Sequence, residues 1–288
     1  RSPSALYPRV KYEWPYSSDF RKPSLLWKLK STITCFAVGL WGKSVLCLLN
    51  TTKFNNLHVL TDAIFRRPPG VPLVTLANHE SCVDDPCLIG AVMTNGQLLK
   101  HSKMRWSLVA SDICYRKPWH GWIMGLGKCP PVVRGDGVYQ KAVDFVIDRL
   151  NEGGWLHVFP EGKVNMEREE LSRLKWGIGR IVADLERPPI IIPFWHVGIQ
   201  NIMPNYRPYY PRIGKKLFVN IGKPIDVSVV LKNVEDKKAS EKRKIITDYI
   251  QAEMEVLRRE TIALAKIEGI TSESDSEAPT SDKHNGLI

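Results

Sequence analysis

The sequence predicts an α/β fold with a mostly parallel central sheet flanked by helices. Three apolar runs have the character of buried strands, at residues 71–77, 155–162 and 189–195, and segments with helical periodicity lie between them. A strand followed by a helix, repeated along a chain, is typical of parallel sheets that helices cover. The 288 residues suffice to bury one such core and to carry appendages.

The composition is that of a globular protein with a strongly basic balance. The formal net charge is +11 and the pI about 9.3. The last eighteen residues hold four acidic residues and one lysine, so the rest of the chain is more basic still. This charge favours an anionic partner: nucleic acid, an anionic membrane or a phosphate-bearing substrate. The six cysteines show neither C-x-x-C pairs nor zinc spacing, so no disulfide framework is predicted.

Three regions are predicted. Residues 1–66 form an arm with a membrane-interface helix, residues 67–268 form the α/β domain, and residues 269–288 form a disordered acidic tail. The domain ends in a long amphipathic helix over 241–266, which we expect to pack on the sheet. The chain begins at Arg1 rather than methionine, which is consistent with trimming.

The apolar segment 25–49 is the candidate for membrane contact. Lysines interrupt it, and its uninterrupted part, 31–42, is shorter than the roughly 20 residues of a spanning helix. We therefore expect a helix in the membrane interface, with these residues at the lipid headgroups: Lys28, Lys30, Lys43, Trp27 and Trp41. A buried core helix would explain this stretch nearly as well.

Basic and aromatic residues alternate in two further segments, 100–106 and 115–127. Both compositions suit a phospholipid headgroup layer or single-stranded nucleic acid, although core packing explains any one aromatic residue as well. The apolar run 122–126 favours lipid. The continuation of the third strand to Pro204 is also apolar enough to touch a membrane.

A histidine and an aspartate five positions apart, His79 and Asp84, follow the first strand. On one continuous helix such residues point roughly 140° apart, so the histidine must precede the helix if the two are to meet. The helix could begin with Ser81 as its N-cap, or with Asp85 before Pro86. A carboxylate on one ring nitrogen leaves the other free to accept a proton, which predicts general-base chemistry.

Other interpretations of this motif stay open. The histidine could satisfy a loop while the aspartate caps a helix, which is the commoner arrangement for an isolated pair. A metal site from His79, Cys82, Asp84 and Asp85 is disfavoured because no second cluster completes it. A nucleophile formed by Cys82 and His79 is disfavoured because such pairs are not usually adjacent in sequence.

Two further polar residues follow strands in the same way. Arg134 ends the short apolar run that starts at Cys129, and Glu161 lies in the sharp turn of the run 155–162. Ligands bind outside the carboxyl ends of strands in parallel sheets, so His79, Arg134 and Glu161 are expected to converge there. That convergence favours a functional interpretation of the histidine.

In order along the chain, the motifs are Asn78-His79-x4-Asp84, Arg134 after a Gly/Pro-containing strand, Phe159-Pro160-Glu161-Gly162 and Ile192-Pro193. This ordered set resembles the glycerolipid acyltransferases, over residues 71–195. The resemblance implies an acyl transfer in which His79, oriented by Asp84, deprotonates the hydroxyl of a lysophospholipid. The absence of a G-x-S-x-G elbow from the sequence disfavours a covalent serine intermediate.

The remaining site residues are expected to bind substrate. Arg134 suits a lipid phosphate through its rigid fork, and Asn78 with backbone N–H groups near Ser81 are candidates for stabilising the oxyanion. Within the third motif, Glu161 either orients a headgroup or bonds the loop, and Lys163 either acts as a point charge or faces solvent. The expected substrate-binding turn comprises Phe159, Pro160, Glu161, Gly162 and Lys163.

One departure from the family pattern indicates which members of the family the chain resembles. Most members continue the third motif with Thr-Arg, whereas this chain continues with Lys163 and Val164. Together with the interfacial segments and the long C-terminal helix, this is similar to the cardiolipin-remodelling members. The resemblance then implies a transacylase that uses no acyl-CoA and no cofactor, with phospholipid and lysophospholipid substrates that include cardiolipin and monolysocardiolipin.

The same resemblance implies a location on mitochondrial membranes, facing the intermembrane space. The expected partner is an anionic membrane surface and not nucleic acid, and a homo-oligomer is left open. An acyl-CoA-dependent lysophospholipid acyltransferase is the enzymatic alternative. A basic membrane-binding protein is the non-enzymatic one.

Overall fold

The structure, a computed structural model, describes residues 9–17, 20, 22–165, 170–206 and 209–270. Its centre is a sheet of six strands: β1 Thr51–Asn55, β2 Leu73–Ala77, β3 Trp106–Ser107, β6 Trp155–Val158, β7 Ile190–Val197 and β8 Lys216–Ile221. Two short strands, β4 Val109–Ala110 and β5 Pro131–Val132, pair with each other separately.

The strand order β1-β8-β7-β2-β6-β3 places β2 inside the sheet. β2 runs parallel to both neighbours, β6 and β7, and the β3–β6 and β1–β8 pairs are also parallel. The β7–β8 pair is antiparallel. All five residues of β2 are buried, as in a strand that is covered on both faces. The predicted α/β class with a mostly parallel sheet is confirmed.

Helices cover the two faces of the sheet. Val74 and Leu76 of β2 belong to one hydrophobic cluster, and Leu73 and Ala77 belong to another, as alternation along a strand requires. The helices are α1 Leu25–Lys43, α2 Leu57–Phe65, α3 Asp84–Val92, α4 Asn95–Leu98, α5 Ser111–Cys114, α6 Pro118–Leu126, α7 Lys141–Asn151, α8 Gly177–Ala183, α9 Ile199–Ile202, α10 Ser228–Asn233 and α11 Ala239–Ile267. α11 corresponds to the packing helix expected over 241–266.

β1 and α2 lie in residues 50–70, for which the sequence analysis predicts neither a strand nor a helix. β1 is an edge strand whose residues are exposed or half-buried. Its threonines, lysine and asparagine therefore do not form the apolar run by which a buried strand is recognised.

Two other expectations are wrong. The strand predicted from Cys129 shrinks to the two residues of β5, because Pro130 and Pro131 have no N–H with which to join a central ladder. The continuation to Pro204 does not face a membrane, since Ile199 and Ile202 are fully buried in the core.

α1 presents its large apolar side chains outward. Its buried residues are the small Ser31, Cys35, Gly39 and Gly42, whereas Leu25 is 83% exposed. Together with the π-helical turn Ser44–Leu48, it is long and apolar enough to cross a membrane by length and composition. A helix of a water-soluble protein normally turns its large apolar side chains inward, so this face is suited to lipid.

Two residues expected at the headgroups are held by the protein instead. The Trp27 ring packs edge-on against Phe20, with centroids 4.7 Å apart. Lys43 Nζ donates to the Met93 carbonyl and to Asn95 Oδ1, the latter at 3.2 Å. Trp41 is exposed, as expected.

The ends of the chain are described only in part. In the expected N-terminal arm, Tyr16 and Phe20 belong to a hydrophobic cluster of the core. The expected acidic tail at 269–288 lies outside the described residues except for its first two. Ile270 is buried against Phe218 and Ala265.

α1 and α3 cross where glycines let their backbones touch. A Cβ atom on Gly90 would lie 2.1 Å from the Gly39 carbonyl oxygen, and one on Gly42 would lie 2.5 Å from the Pro86 carbonyl oxygen. Because α3 begins at Asp84, this crossing also fixes the helix that carries the predicted catalytic carboxylate.

We expect Gly90→Ala to destabilise the protein by roughly 1–3 kcal/mol, the usual cost of overpacking a closed contact. Gly96→Ala is the matched control, because nothing lies within 4 Å of the Cβ position at Gly96 in α4. Thermal unfolding in detergent micelles measures both variants. Equal melting temperatures would show that α1 and α3 do not pack this closely.

Candidate active site

His79 lies just beyond the carboxyl end of β2, and its ring meets the first residue of α3. Its Nδ1 is 2.9 Å from Oδ2 of Asp84. The Asp84 side chain is fully buried, and the His79 side chain is 19% exposed. The contact that the His-x4-Asp spacing predicts is therefore present, with the histidine ahead of the helix. Its catalytic role stays a prediction.

Asp84 also organises the turn that precedes it. Its Oδ2 accepts hydrogen bonds from the backbone N–H groups of Glu80, at 2.7 Å, and Ser81, at 3.0 Å. The N-cap of α3 is Val83, so neither Ser81 nor Asp85 caps the helix in the way the sequence suggests. Since Asp84 holds the Ser81 N–H group, that group is not available for an oxyanion.

The hydrogen bond to Asp84 determines the tautomer of the neutral imidazole. An ionised carboxylate only accepts, so Nδ1 must donate, and the neutral ring then carries its lone pair on Nε2. Among the described residues, none forms a hydrogen bond with Nε2. Phe159 supports the ring face, with centroids 4.1 Å apart and an interplanar angle of 16°. The arrangement holds the partly exposed imidazole between the Asp84 carboxylate and the Phe159 ring.

The turn that follows β6 holds the histidine from a second side. Glu161 Oε1 accepts from the His79 backbone N–H at 3.2 Å, and its Oε2 accepts from Asn165 Nδ2 and from the Ser172 N–H. Burial raises the pKa of this carboxyl group above its ordinary value. Gly162, with φ +72°, supplies the left-handed conformation that the turn requires. Of the two interpretations of Glu161, bonding of the loop is the one observed.

Asn78 does not point at a substrate. Its Nδ2 donates to Glu80 Oε1 at 3.0 Å and to the His196 carbonyl at 2.9 Å, and its Oδ1 accepts from the His196 N–H at 2.9 Å. Both amide hydrogens are therefore used within the protein. This corrects the expectation that Asn78 stabilises an oxyanion.

The other residues of the expected substrate-binding turn are either packed against the protein or exposed to solvent. Pro160 is buried, and its carbonyl accepts from the Lys175 N–H at 2.8 Å. Lys163 is exposed, so solvent contact is the one of its two interpretations that is observed. Phe159 contacts the His79 ring.

Arg134 forms an ion pair with Asp112 of α5. Its Nε donates to Asp112 Oδ1 at 3.1 Å and its Nη2 donates to Oδ2, and the two side chains are 20% and 5% exposed. It follows β5 of the separate two-stranded sheet rather than a strand of the central sheet, which corrects its expected position. His79 and Glu161 do meet at the central sheet.

Two residues near the site were missed in the sequence. His196 lies in β7, beside Asn78, and Arg105 forms a buried ion pair with Asp85. Burial opposes ionisation of Asp85, but Arg105 lowers its pKa overall. For His196 there was a signal, since it stands near the end of an apolar strand, as His79 does. For Arg105 there was none, because its partner lies twenty residues away.

The thiol alternative is weakened by the surroundings of Cys82. Burial, and then Asp84, raise the pKa of this thiol above its ordinary value. A reactive cysteine needs the opposite shift, toward the thiolate.

Comparisons with known proteins place the chain in a family. The Acyltransferase family model matches residues 56–197. Tafazzin from Drosophila melanogaster is 44% identical over 254 residues, which cover 86% of this chain and 67% of that protein. N-acylphosphatidylethanolamine synthase from Arabidopsis thaliana is 40% identical, and the match covers 75% of this chain and 76% of that protein. Taffazin from Dictyostelium discoideum is 36% identical, with 81% of this chain and 80% of that protein covered.

A solved structure shares the fold. The 1-acyl-sn-glycerophosphate acyltransferase PlsC from Thermotoga maritima superposes with a TM-score of 0.52, over 80% of this chain and 79% of that one, at 21% identity. The segment that matches the family model contains the His79–Asp84 pair and the turn around Glu161. The chain is therefore an acyltransferase and belongs to the glycerolipid acyltransferase family, which it shares with the tafazzins.

Proposed function

We propose that the protein is a phospholipid–lysophospholipid transacylase that moves acyl chains without acyl-CoA and remodels cardiolipin. The observation that carries the proposal is the His79 imidazole, bonded through Nδ1 to buried Asp84 and without a partner on Nε2 among the described residues. The identity with the tafazzins and the replacement of Thr-Arg by Lys163-Val164 support the donor and acceptor classes.

The proposed reaction needs one base. His79 Nε2 takes the proton from the free hydroxyl of a lysophospholipid, and the resulting oxygen attacks the ester carbonyl of a donor phospholipid. The tetrahedral intermediate expels the alkoxide of the donor, which takes the proton back from Nε2. Asp84 stabilises the imidazolium between these two transfers. One ester forms, one ester breaks and no acyl-enzyme is needed.

A lipid surface is the proposed site of both substrates. α1 and α6 meet where Ser31 Oγ donates to the Leu126 carbonyl at 2.7 Å. The two helices expose large apolar side chains, and Lys28, Lys30 and Lys117 are exposed beside them. This composition suits an anionic bilayer interface, which we propose to be a mitochondrial membrane facing the intermembrane space. The exposed apolar residues are Leu25, Leu26, Leu29, Ile33, Trp119 and Trp122.

The acyl donor and acceptor are tested together. Purified protein is mixed with phosphatidylcholine vesicles that contain monolysocardiolipin, with and without acyl-CoA. We expect cardiolipin to form without acyl-CoA, with an equal amount of lysophosphatidylcholine released, because the chain moves from ester to ester. Vesicles without protein are the control.

Two outcomes would contradict the proposed reaction. A strict requirement for acyl-CoA would identify the other class of lysophospholipid acyltransferase. N-acylation of phosphatidylethanolamine in place of ester exchange would point to the activity named for the Arabidopsis relative.

His79→Gln and Asp84→Asn are each expected to lower the transfer rate by about 10²–10⁴-fold, the usual contribution of a positioned general base. The matched control is His58→Gln, on the exposed surface of α2. Transfer is measured in the vesicle assay, and folding is checked by circular dichroism. An unchanged rate in folded His79→Gln would favour the membrane-binding protein over the enzyme.

Arg134 is proposed to contact a lipid phosphate, because its planar guanidinium fork suits that group. Arg134→Ala alone would leave the buried Asp112 charge uncompensated, which typically costs about 3–5 kcal/mol of stability. The double variant Arg134→Gln with Asp112→Asn removes both charges. We expect it to recover stability and still to transfer acyl chains slowly, with a raised KM for the lysophospholipid.

The control for Arg134 is a second ion pair of an arginine that is largely buried. Arg180 Nη2 donates to Asp144 Oδ1, and its side chain is 9% exposed. Arg180→Gln with Asp144→Asn should leave KM unchanged. A normal KM in the Arg134 double variant would make that pair purely structural.

A further inference from the structure

His196 and Asn78 are joined beyond the regular pairing of their strands. The ladder between β2 and β7 runs as far as Ala77, which pairs with Phe194. After it, the Asn78 side chain bonds the backbone N–H and C=O of His196, both at 2.9 Å. The His196 ring in turn contacts the backbone of Asn78, with Nε2 3.0 Å from the Asn78 carbonyl oxygen. Asn78 is thus fixed on both its side chain and its backbone, immediately before His79.

The His196 ring lies in the protein interior next to the acid that orients His79. It is fully buried, and its Nε2 is 3.8 Å from Asp84 Oδ2 while its Nδ1 is 3.8 Å from Glu80 Oε2. A carbonyl oxygen only accepts, so Nε2 carries the proton. Burial lowers the pKa of His196 more than the neighbouring Asp84 raises it, which favours the neutral ring. A neutral ring does not compete with His79 for the Asp84 charge.

We infer that His196 is a positioning residue for the general base: its Nε2–H, bonded to the Asn78 carbonyl, sets the direction in which the chain leaves β2 and thereby aims His79. The inference rests on the proposed function in taking His79 as the base. It goes beyond that function because His196 touches neither substrate nor the reacting atoms.

The segment that follows β7 extends the same support. Ser81 Oγ donates to the Met203 carbonyl at 3.0 Å, and Asn205 Nδ2 donates to the Glu80 carbonyl at 2.5 Å. On the other side, the Asn165 N–H donates to the His79 carbonyl at 2.6 Å. Removing the His196 donor therefore loosens one of two supports, which should misdirect the imidazole without unfolding the turn.

Three substitutions of His196 distinguish a role in orienting His79 from a role in core packing alone. Glutamine can place an amide nitrogen near the position of Nε2, asparagine places one near that of Nδ1, and leucine offers none. We expect His196→Gln to keep kcat within about tenfold of wild type, the effect of weakening one hydrogen bond. His196→Asn and His196→Leu should lower kcat by about 10²-fold, as misplacement of a catalytic group does. KM for the lysophospholipid should stay unchanged in all three.

The control is Asn220→Ala in β8. Asn220 is buried, it pairs with Trp195 across the ladder, and its amide bonds Thr261 and Asn55, away from the site. We expect this variant to melt at a lower temperature than wild type with normal kcat. If all His196 variants lower kcat equally, or in step with melting temperature, His196 is only structural. Normal kcat in His196→Leu would overturn the inference as well.

Amide hydrogen exchange tests the inference even if no acyl donor supports transfer in the wild type, which would contradict the proposed function alone. Exchange is followed by mass spectrometry in the peptide that covers residues 78–84. We expect faster exchange there in His196→Leu and His196→Asn, with wild-type rates in His196→Gln and Asn220→Ala. Wild-type rates in His196→Leu would show that the ring does not hold the turn.

Discussion

Three donors meet at a single carboxylate oxygen, Oδ2 of Asp84: the imidazole N–H of His79 and the backbone N–H groups of Glu80 and Ser81. A buried carboxylate is costly unless it is hydrogen-bonded, and the turn supplies three donors to Oδ2 by folding back on the helix that follows it. The same requirement brings the histidine ring onto the acid. Oδ1 of Asp84 has no hydrogen-bond partner among the described residues. The hydrogen bonds to Asp84 Oδ2 thus stabilise the turn and also orient the histidine of the proposed reaction.

The parallel sheet gives this turn its two supports. β2 lies between β6 and β7, and all three strands end at the same edge. Glu161, in the turn after β6, accepts a hydrogen bond from the His79 N–H. His196, in β7, donates its backbone N–H to the Asn78 side chain. Glu161 and Asn78 are therefore bonded within the protein, whereas His196 Nδ1 has no hydrogen-bond partner among the described residues. The imidazole Nε2 of His79 has no hydrogen-bond partner among the described residues, and it is the atom to which the proposed reaction assigns the proton transfer.

The sequence predicts the parts of this site that depend on short spacing and on strand patterns. His79 and Asp84 lie on one turn, so their separation alone determines whether they can meet, and β2, β6 and β7 are apolar runs. It could not predict that Asn78 bonds His196 or that Glu161 bonds the His79 N–H, because these partners lie 118 and 82 residues away in the chain. Arg134 was misplaced because Pro130 and Pro131 divert its strand from the central sheet. β1 was missed because an edge strand can be polar.

The state of the His79 ring is the most direct test of the account, and nitrogen-15 NMR of histidine-labelled protein reads it. The geometry requires that the neutral form of His79 carry its proton on Nδ1, with a strongly deshielded Nδ1 proton that disappears in Asp84→Asn. A neutral His79 protonated on Nε2, or a deshielded proton that persists in Asp84→Asn, would contradict the account.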